Sequence, residues 1–140
     1  MIFRKNEIKK IIINQNCSLF NAIKIMNETG LKIVIVAGKN SKILGTVVDG
    51  DIRRGLINEI NLESKISKLL NQSPITSKKH LSRVEANQIM KVNYLNHLQI
   101  IDNLNRPVGL HTLDDGFKTI KRNNKFIIMA GGKGKRLLPY

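Results

Sequence analysis

The sequence predicts a mixed α/β (α+β) fold of two β-α-β-β-α units packed about an approximate two-fold axis. Three observations carry this reading. First, the chain matches itself without gaps from Ser18 to Asp51 at an offset of 64 residues. Identical pairs are Ser18/Ser82, Ala22/Ala86, Ile25/Ile89, Met26/Met90, Leu31/Leu95, Gly45/Gly109 and Asp51/Asp115, and Val34/Leu98, Val36/Ile100 and Leu44/Val108 are conservative. Second, each copy places apolar residues at helical spacing ahead of two short apolar runs divided by a turn. Third, a unit of roughly 60 residues buries too little to stand alone, whereas two can share one core.

In the first copy, Ile11-Ile12-Ile13 reads as a short strand closed by Asn14-Gln15-Asn16. Ser18 is suited to cap a helix, because its hydroxyl can accept a free amide of the first turn. Leu19, Ala22, Ile23 and Met26 then recur on one helical face, and Gly30 suits the left-handed residue that ends a helix. The β-branched run Ile33-Val34-Ile35-Val36 predicts a strand, Gly38-Lys39-Asn40-Ser41 a turn, and Ile43 to Val48 the returning strand. A second helix is expected from about Asp51 to Asn58.

The second copy repeats the order. Ile75-Thr76 opens it, Ser82 to about Asn93 is helical, and Leu98 to Ile101 is a strand. Asp102 to Asn105 turns the chain and Pro107 to Thr112 returns, with the proline at a strand's first residue, where a missing amide is tolerated. A last helix is expected from Asp115 to about Ile120, and a short one at Ile66–Leu70 in the link. The expected divisions are 1–62, 63–120, and a tail of 121–140. Met26 and Met90 read as core fillers. A ligand cleft is expected along the axis between the packed halves.

Composition narrows the function classes. Lys and Arg number 24 against 10 Asp and Glu, a formal charge of +14. Seven of those basic residues follow Asp115, where no acid occurs, and the others are scattered singly and in pairs. Aromatic side chains that stack on bases make up only 4% of the chain and Trp is absent. This footprint argues against nucleic acid as the partner. No run approaches the roughly 20 apolar residues of a membrane span, and Glu7 interrupts any signal-like start. Cys17 is the single cysteine, so no internal disulfide can form, and with three scattered His it makes no metal cluster. A reducing, cytoplasmic setting is the expectation.

Gly45-Thr46-Val47-Val48-Asp49-Gly50-Asp51-Ile52-Arg53-Arg54 and Gly109-Leu110-His111-Thr112-Leu113-Asp114-Asp115 resemble the end of a cystathionine-β-synthase (CBS) domain. That pattern is Gly, two apolar-like positions, Ser/Thr, two variable residues, then the Asp opening the last helix. The resemblance covers both copies, about residues 5–120, and implies the paired regulatory module of that family. In many members the hydroxyl and the carboxylate contact the ribose of an adenosine nucleotide such as AMP or ATP. Carried over, the second copy offers Thr112 and Asp115, while the first offers Asp51 but has Val48 where the hydroxyl belongs. The resemblance therefore favours the site at Thr112 and Asp115, because a valine cannot supply that hydrogen bond. Arg53 and Arg54 stand one turn on, where they could meet ligand phosphates. Plainer roles exist for all of these: each Asp serves equally as a helix cap, and two helical arginines make a solvated face. His111 reads as a packed or rim histidine, and His80 and His97 carry no motif.

The tail, Phe126-Ile127-Ile128-Met129-Ala130-Gly131-Gly132-Lys133-Gly134-Lys135-Arg136-Leu137-Leu138-Pro139, runs an apolar strand into a glycine-rich loop, the arrangement by which α/β folds offer backbone amides to phosphates. It is similar to the opening of the sugar-phosphate nucleotidyltransferases, with the signature Gly-Gly-x-Gly-Ser/Thr-Arg-Leu-x-Pro. Gly131, Gly132, Gly134, Arg136, Leu137 and Pro139 match, and Lys135 stands where Ser or Thr is usual. The resemblance implies a nucleotide-binding loop at Gly131, Gly132, Gly134, Lys135 and Arg136. It further implies that the chain is the N-terminal part of a longer Mg²⁺-dependent enzyme that joins an NTP and a sugar 1-phosphate, in polysaccharide precursor synthesis. No carboxylate follows Asp115, so this stretch alone is expected to be catalytically silent, with no catalytic residue and no metal or cofactor of its own. Two readings stand side by side: a nucleotide-sensing module, expected to form a homodimer, and a ligand-free dimerisation scaffold.

Overall fold

The computed structural model describes residues 2–4, 8–78 and 81–113. The helix expected at Asp115 and the glycine-rich tail lie outside these residues. The strands fall into two sheets. One has three strands in the order β2 (Ile12–Asn14), β3 (Ile33–Ala37), β4 (Ile43–Val48), with β2 parallel to β3 and β4 antiparallel. The other has four, in the order β1 (Ile2–Arg4), β7 (Pro107–Thr112), β6 (His97–Ile101), β5 (Thr76–Ser77). They are accompanied by the helices α1 (Leu19–Thr29), α2 (Asp49–Ile57) and α3 (Arg83–Val92).

Local chemistry explains these elements. The Asn21 amide donates to Ser18 Oγ at 3.3 Å at the start of α1, and Gly30 ends it with φ of +67°. Ser82 caps α3 in the same way. There the Glu85 amide donates to its hydroxyl at 3.3 Å and the Glu85 carboxylate accepts the Ser82 amide at 2.9 Å. The turn between β3 and β4 uses Asn40 and Ser41 at positive φ, and the turn between β6 and β7 uses Asn105. These two turns touch, with the Ile43 amide donating to the Asn105 carbonyl at 2.9 Å.

The core is layered. Val34, Val36, Val47 and Ile13 pack with Leu19, Ala22 and Met26 of α1 and Ile52 of α2 on one face of the first sheet. Residues of alternate parity, Ile33 and Ile35, pack on the other face with Ile8, Ile11 and Leu110 of the second sheet. Ala86 and Met90 of α3 cover Leu98 on the outer face of the second sheet. Among the described residues the order is two helices, sheet, sheet, one helix, with both faces of β3 buried, so its sequence is a continuous apolar run. Met26 and Met90 are buried as the spacing predicts.

Several boundaries differ from the sequence reading. A tight turn at Lys9–Ile11 takes the residue expected to open β2, and α2 begins at Asp49 rather than Asp51. The link forms a short 3₁₀ turn at Ile66–Leu69, and β5 lies one residue later than expected. β1 was not anticipated from the sequence. It runs antiparallel to β7, with Arg4 opposite Gly109, so the chain's first strand lies in the sheet of the second repeat. Among the described residues no helix is long and apolar enough to cross a membrane. Cys17 packs beside the first core, where burial pushes its thiol pKa up.

Candidate functional site

Between the two sheets lies an open cleft of about 200 Å³. The first repeat contributes Ile33, Thr46, Val48 and Asp51, the second Tyr94, Leu95, Asn96, His97 and Gln99, and the link between them Asn71, Pro74 and Ile75. Ile33, Val48, Ile75 and Leu95 supply apolar surface, while Asp51, Asn71, Asn96, His97 and Gln99 bring hydrogen-bonding groups.

Asp51 reaches this position through the start of α2. Its Oδ2 accepts the Val48 amide at 2.9 Å, the backward half of a capping box, and its Oδ1 accepts from the Arg54 guanidinium at 2.6 Å. Val48, which precedes the helix, has no side-chain acceptor to complete the box, so the carboxylate carries this end alone. Each carboxylate oxygen has a second lone pair, so capping leaves Asp51 able to accept a ligand hydroxyl. Arg53 pairs instead with Asp49 at 2.7 Å, and both side chains are largely in solvent. Arg54 is also well exposed and shares Asp51's side of the helix.

The hydroxyl missing at Val48 has a neighbour. Thr46 lies two residues earlier on β4, on the same face of the strand, and is buried at the cleft wall. His97 and Gln99 line the opposite repeat in the same alternation. Burial holds the His97 pKa down to about 4, with the positive charge of Lys32 adding to the effect. At neutral pH the ring is therefore an uncharged donor and acceptor. Thr46, His97 and Gln99 were missed by motif reasoning. Their signal was polar side chains at alternate strand positions, where the other repeat has Leu110, Ile33 and Ile35.

That exchange makes the molecule asymmetric. The repeat counterparts of Thr46, Ile75, His97 and Gln99 are Leu110, Ile11, Ile33 and Ile35, and those four pack with Ile8 in an apolar cluster. Thr112 ends β7 half-buried, opposite His97 in register, and is not among the residues lining the cleft. Asp115 and the loop Gly131, Gly132, Gly134, Lys135 and Arg136 lie outside the described residues, as does His80. His111 is buried within β7, as expected of a packed histidine. Among the described residues no group of three or more His, Cys, Asp or Glu could hold a metal ion.

Comparison with known proteins agrees with this geometry. Residues 6–58 match the CBS domain family. An arabinose 5-phosphate isomerase of Pseudomonas aeruginosa is 30% identical over 99 residues, covering 70% of this chain and 30% of the relative. A CBS domain-containing protein of Dictyostelium discoideum is 27% identical, with 74% of this chain and 79% of the relative covered. An uncharacterized protein of Methanocaldococcus jannaschii is 23% identical, with 89% and 30% covered. The chain thus spans about a third of the length of the bacterial and archaeal relatives. Among solved structures, a CBS domain pair in complex with 5′-methylthioadenosine and S-adenosyl-L-methionine superposes with a TM-score of 0.65 at 20% identity, covering 73% of this chain and 80% of that one. CBSX2 in complex with AMP gives 0.66 at 16% identity, covering 79% and 85%. The described chain has the fold of the solved CBS domain pairs, and residues 6–58 match the CBS domain family.

Proposed function

We propose that this chain is a regulatory module that takes an adenosine-containing nucleotide into the seam cleft and thereby biases an attached sugar-phosphate enzyme. The observation that supports it is the joint ownership of the cleft: Asp51 comes from one repeat, and His97 and Gln99 from the other. A ligand bridging them favours one arrangement of the two halves, which is the requirement for regulation, since equal affinity for both arrangements shifts nothing. The cleft is smaller than the roughly 300–1,000 Å³ of an enclosed small-molecule site. It suits a nucleoside, with the phosphates emerging toward Arg54. Asp51 is the proposed ribose acceptor, and Thr112 with Asp115 is proposed as the symmetry-related second position. Solved neighbours of the same fold are complexed with AMP and S-adenosyl-L-methionine, which supports the ligand class.

For the attached enzyme, the tail's resemblance supports a nucleotidyltransferase, dependent on Mg²⁺, working in glycoconjugate precursor synthesis. The isomerase relatives act, by name, on a sugar phosphate, so both lines point to sugar-phosphate chemistry. A cytoplasmic homodimer is the proposed working form, and the exposed Phe20, Leu56 and Ile57 on α1 and α2 are available to a second copy.

Thermal-shift and calorimetric titrations of the 140-residue chain with AMP, ATP and S-adenosyl-L-methionine test the ligand. Binding raises the melting temperature by mass action. No shift with any of them at millimolar concentration overturns the sensor reading and leaves the dimerisation scaffold.

A further inference from the structure

We propose that Tyr94 is a ligand-contacting residue whose ring closes over a purine held in the seam cleft, an inference that rests on the nucleotide reading above. The repeat itself exposes the anomaly. Tyr94 is the counterpart of Gly30 at an offset of 64 residues. Gly30 ends α1 with φ of +67°, and Tyr94 follows α3 in the same left-handed region with φ of +54°. At Gly30 a Cβ would meet nothing within 4 Å, so the glycine answers a backbone demand and not a shortage of space. The second repeat meets that demand with a bulky aromatic residue, which rarely adopts positive φ.

Packing does not explain the choice. The Tyr94 side chain is 96% exposed and so gains almost nothing from the protein around it. Residues at strained backbone angles cluster at active sites, ligand clamps and switch regions. Tyr94 stands at such a position. It lines the cleft on the second repeat, continuous with Leu95, Asn96 and His97, while Asp51 belongs to the first. The chain is poor in aromatic residues and lacks Trp, so this ring has few equivalents.

The chemistry fits a planar heterocycle. A purine entering the cleft meets apolar side chains at Ile75 and Leu95 and hydrogen-bonding edges at Asn96, His97 and Gln99. Its outer face would remain wet. A tyrosine ring free to swing from the rim covers that face, and base–aromatic stacking tolerates any base because every base has a π-face. Ligand binding thus supplies the packing that the unliganded residue lacks.

The test compares Tyr94→Gly and Tyr94→Phe with the parent chain, all carrying Tyr140→Phe so that position 94 is the only tyrosine fluorophore where it is retained. AMP is the probe. Tyr94→Gly is expected to melt no lower than the parent, because it relieves the left-handed strain, yet to bind AMP about tenfold more weakly. Tyr94→Phe should bind within about twofold of the parent, and AMP should quench Tyr94 fluorescence in the parent. If Tyr94→Gly binds AMP as tightly as the parent, the proposal is overturned while the nucleotide reading stands. Equal weakening in Tyr94→Phe assigns the contact to the hydroxyl and overturns stacking. A parent chain that binds neither AMP, ATP nor S-adenosyl-L-methionine overturns both.

Discussion

Asn71 exchanges two backbone hydrogen bonds with Thr46, at 3.0 and 3.1 Å, and this brings the Asn71 carbonyl directly against Gly45. The repeat-equivalent glycine, Gly109, lies opposite Arg4 of β1 in register. At Gly45 the glycine is therefore required by the backbone segment laid beside the returning strand.

Gly45→Ala is accordingly expected to be severely destabilising. Its Cβ would strike the Asn71 carbonyl and sit 2.8 Å from Leu70 Cδ1, and backbone cannot step aside as a side chain can. Gly55→Ala offers the control. Its Cβ would lie 2.7 Å from the end of Leu69, which is flexible, and alanine regains roughly 1 kcal/mol of helix propensity. Urea unfolding should show a loss of about 3 kcal/mol or more for Gly45→Ala and of less than about 1 kcal/mol for Gly55→Ala.

Asp51 combines capping with a place in the cleft, and two substitutions separate the roles. Asp51→Ala removes the acceptor of the Val48 amide and should cost about 1 kcal/mol in denaturant. Asp51→Asn keeps an acceptor oxygen but loses the charge, so most of the stability should remain. Both variants are expected to lose the AMP-induced thermal shift. A full shift in Asp51→Asn would reduce Asp51 to a cap.

The two arginines should behave differently although they are neighbours. Arg53 pairs with Asp49 in solvent, its side chain 74% exposed, and Arg53→Ala should change stability by about 0.5 kcal/mol or less. Arg54 bonds the cleft carboxylate itself. Arg54→Ala should weaken AMP several-fold while leaving adenosine unaffected, if the phosphate emerges on that side. Calorimetry with AMP and adenosine reads the difference, and equal losses for both ligands would contradict it.

What the sequence disclosed follows from how local each feature is. α1 was legible because Ser18, Gly30 and the apolar spacing act within one helix. β3 was legible because both its faces are buried, which leaves an uninterrupted apolar run. β1 was not, since three residues carry no periodicity and the strand exists only through its pairing with distant β7. At the site, the motif disclosed Asp51 because its capping role is local. His97 and Gln99 reach the same cleft from another sheet, and their alternation alone does not say which face is open.

His97 links the cleft to pH. Its ordinary pKa of 6.5 falls to about 4 in the folded chain, first through burial and then through the charge of Lys32, with the Asp51 carboxylate lining the same cleft. Below pH 6.5 the unfolded chain takes up a proton that the folded one refuses until about pH 4. Stability is therefore complete above pH 6.5 and falls as pH drops through that window. Half-buried as it is, His97 should account for roughly 2 kcal/mol of the loss by pH 4.5. His97→Gln keeps a polar side chain but cannot titrate, so the gap in stability between pH 7.5 and 4.5 should shrink by about that amount in urea unfolding. An NMR titration should place the imidazole midpoint near 4 and move it upward in Lys32→Ala. A midpoint near 6.5 in the folded chain would show that the ring stands in water and not in the wall of the cleft.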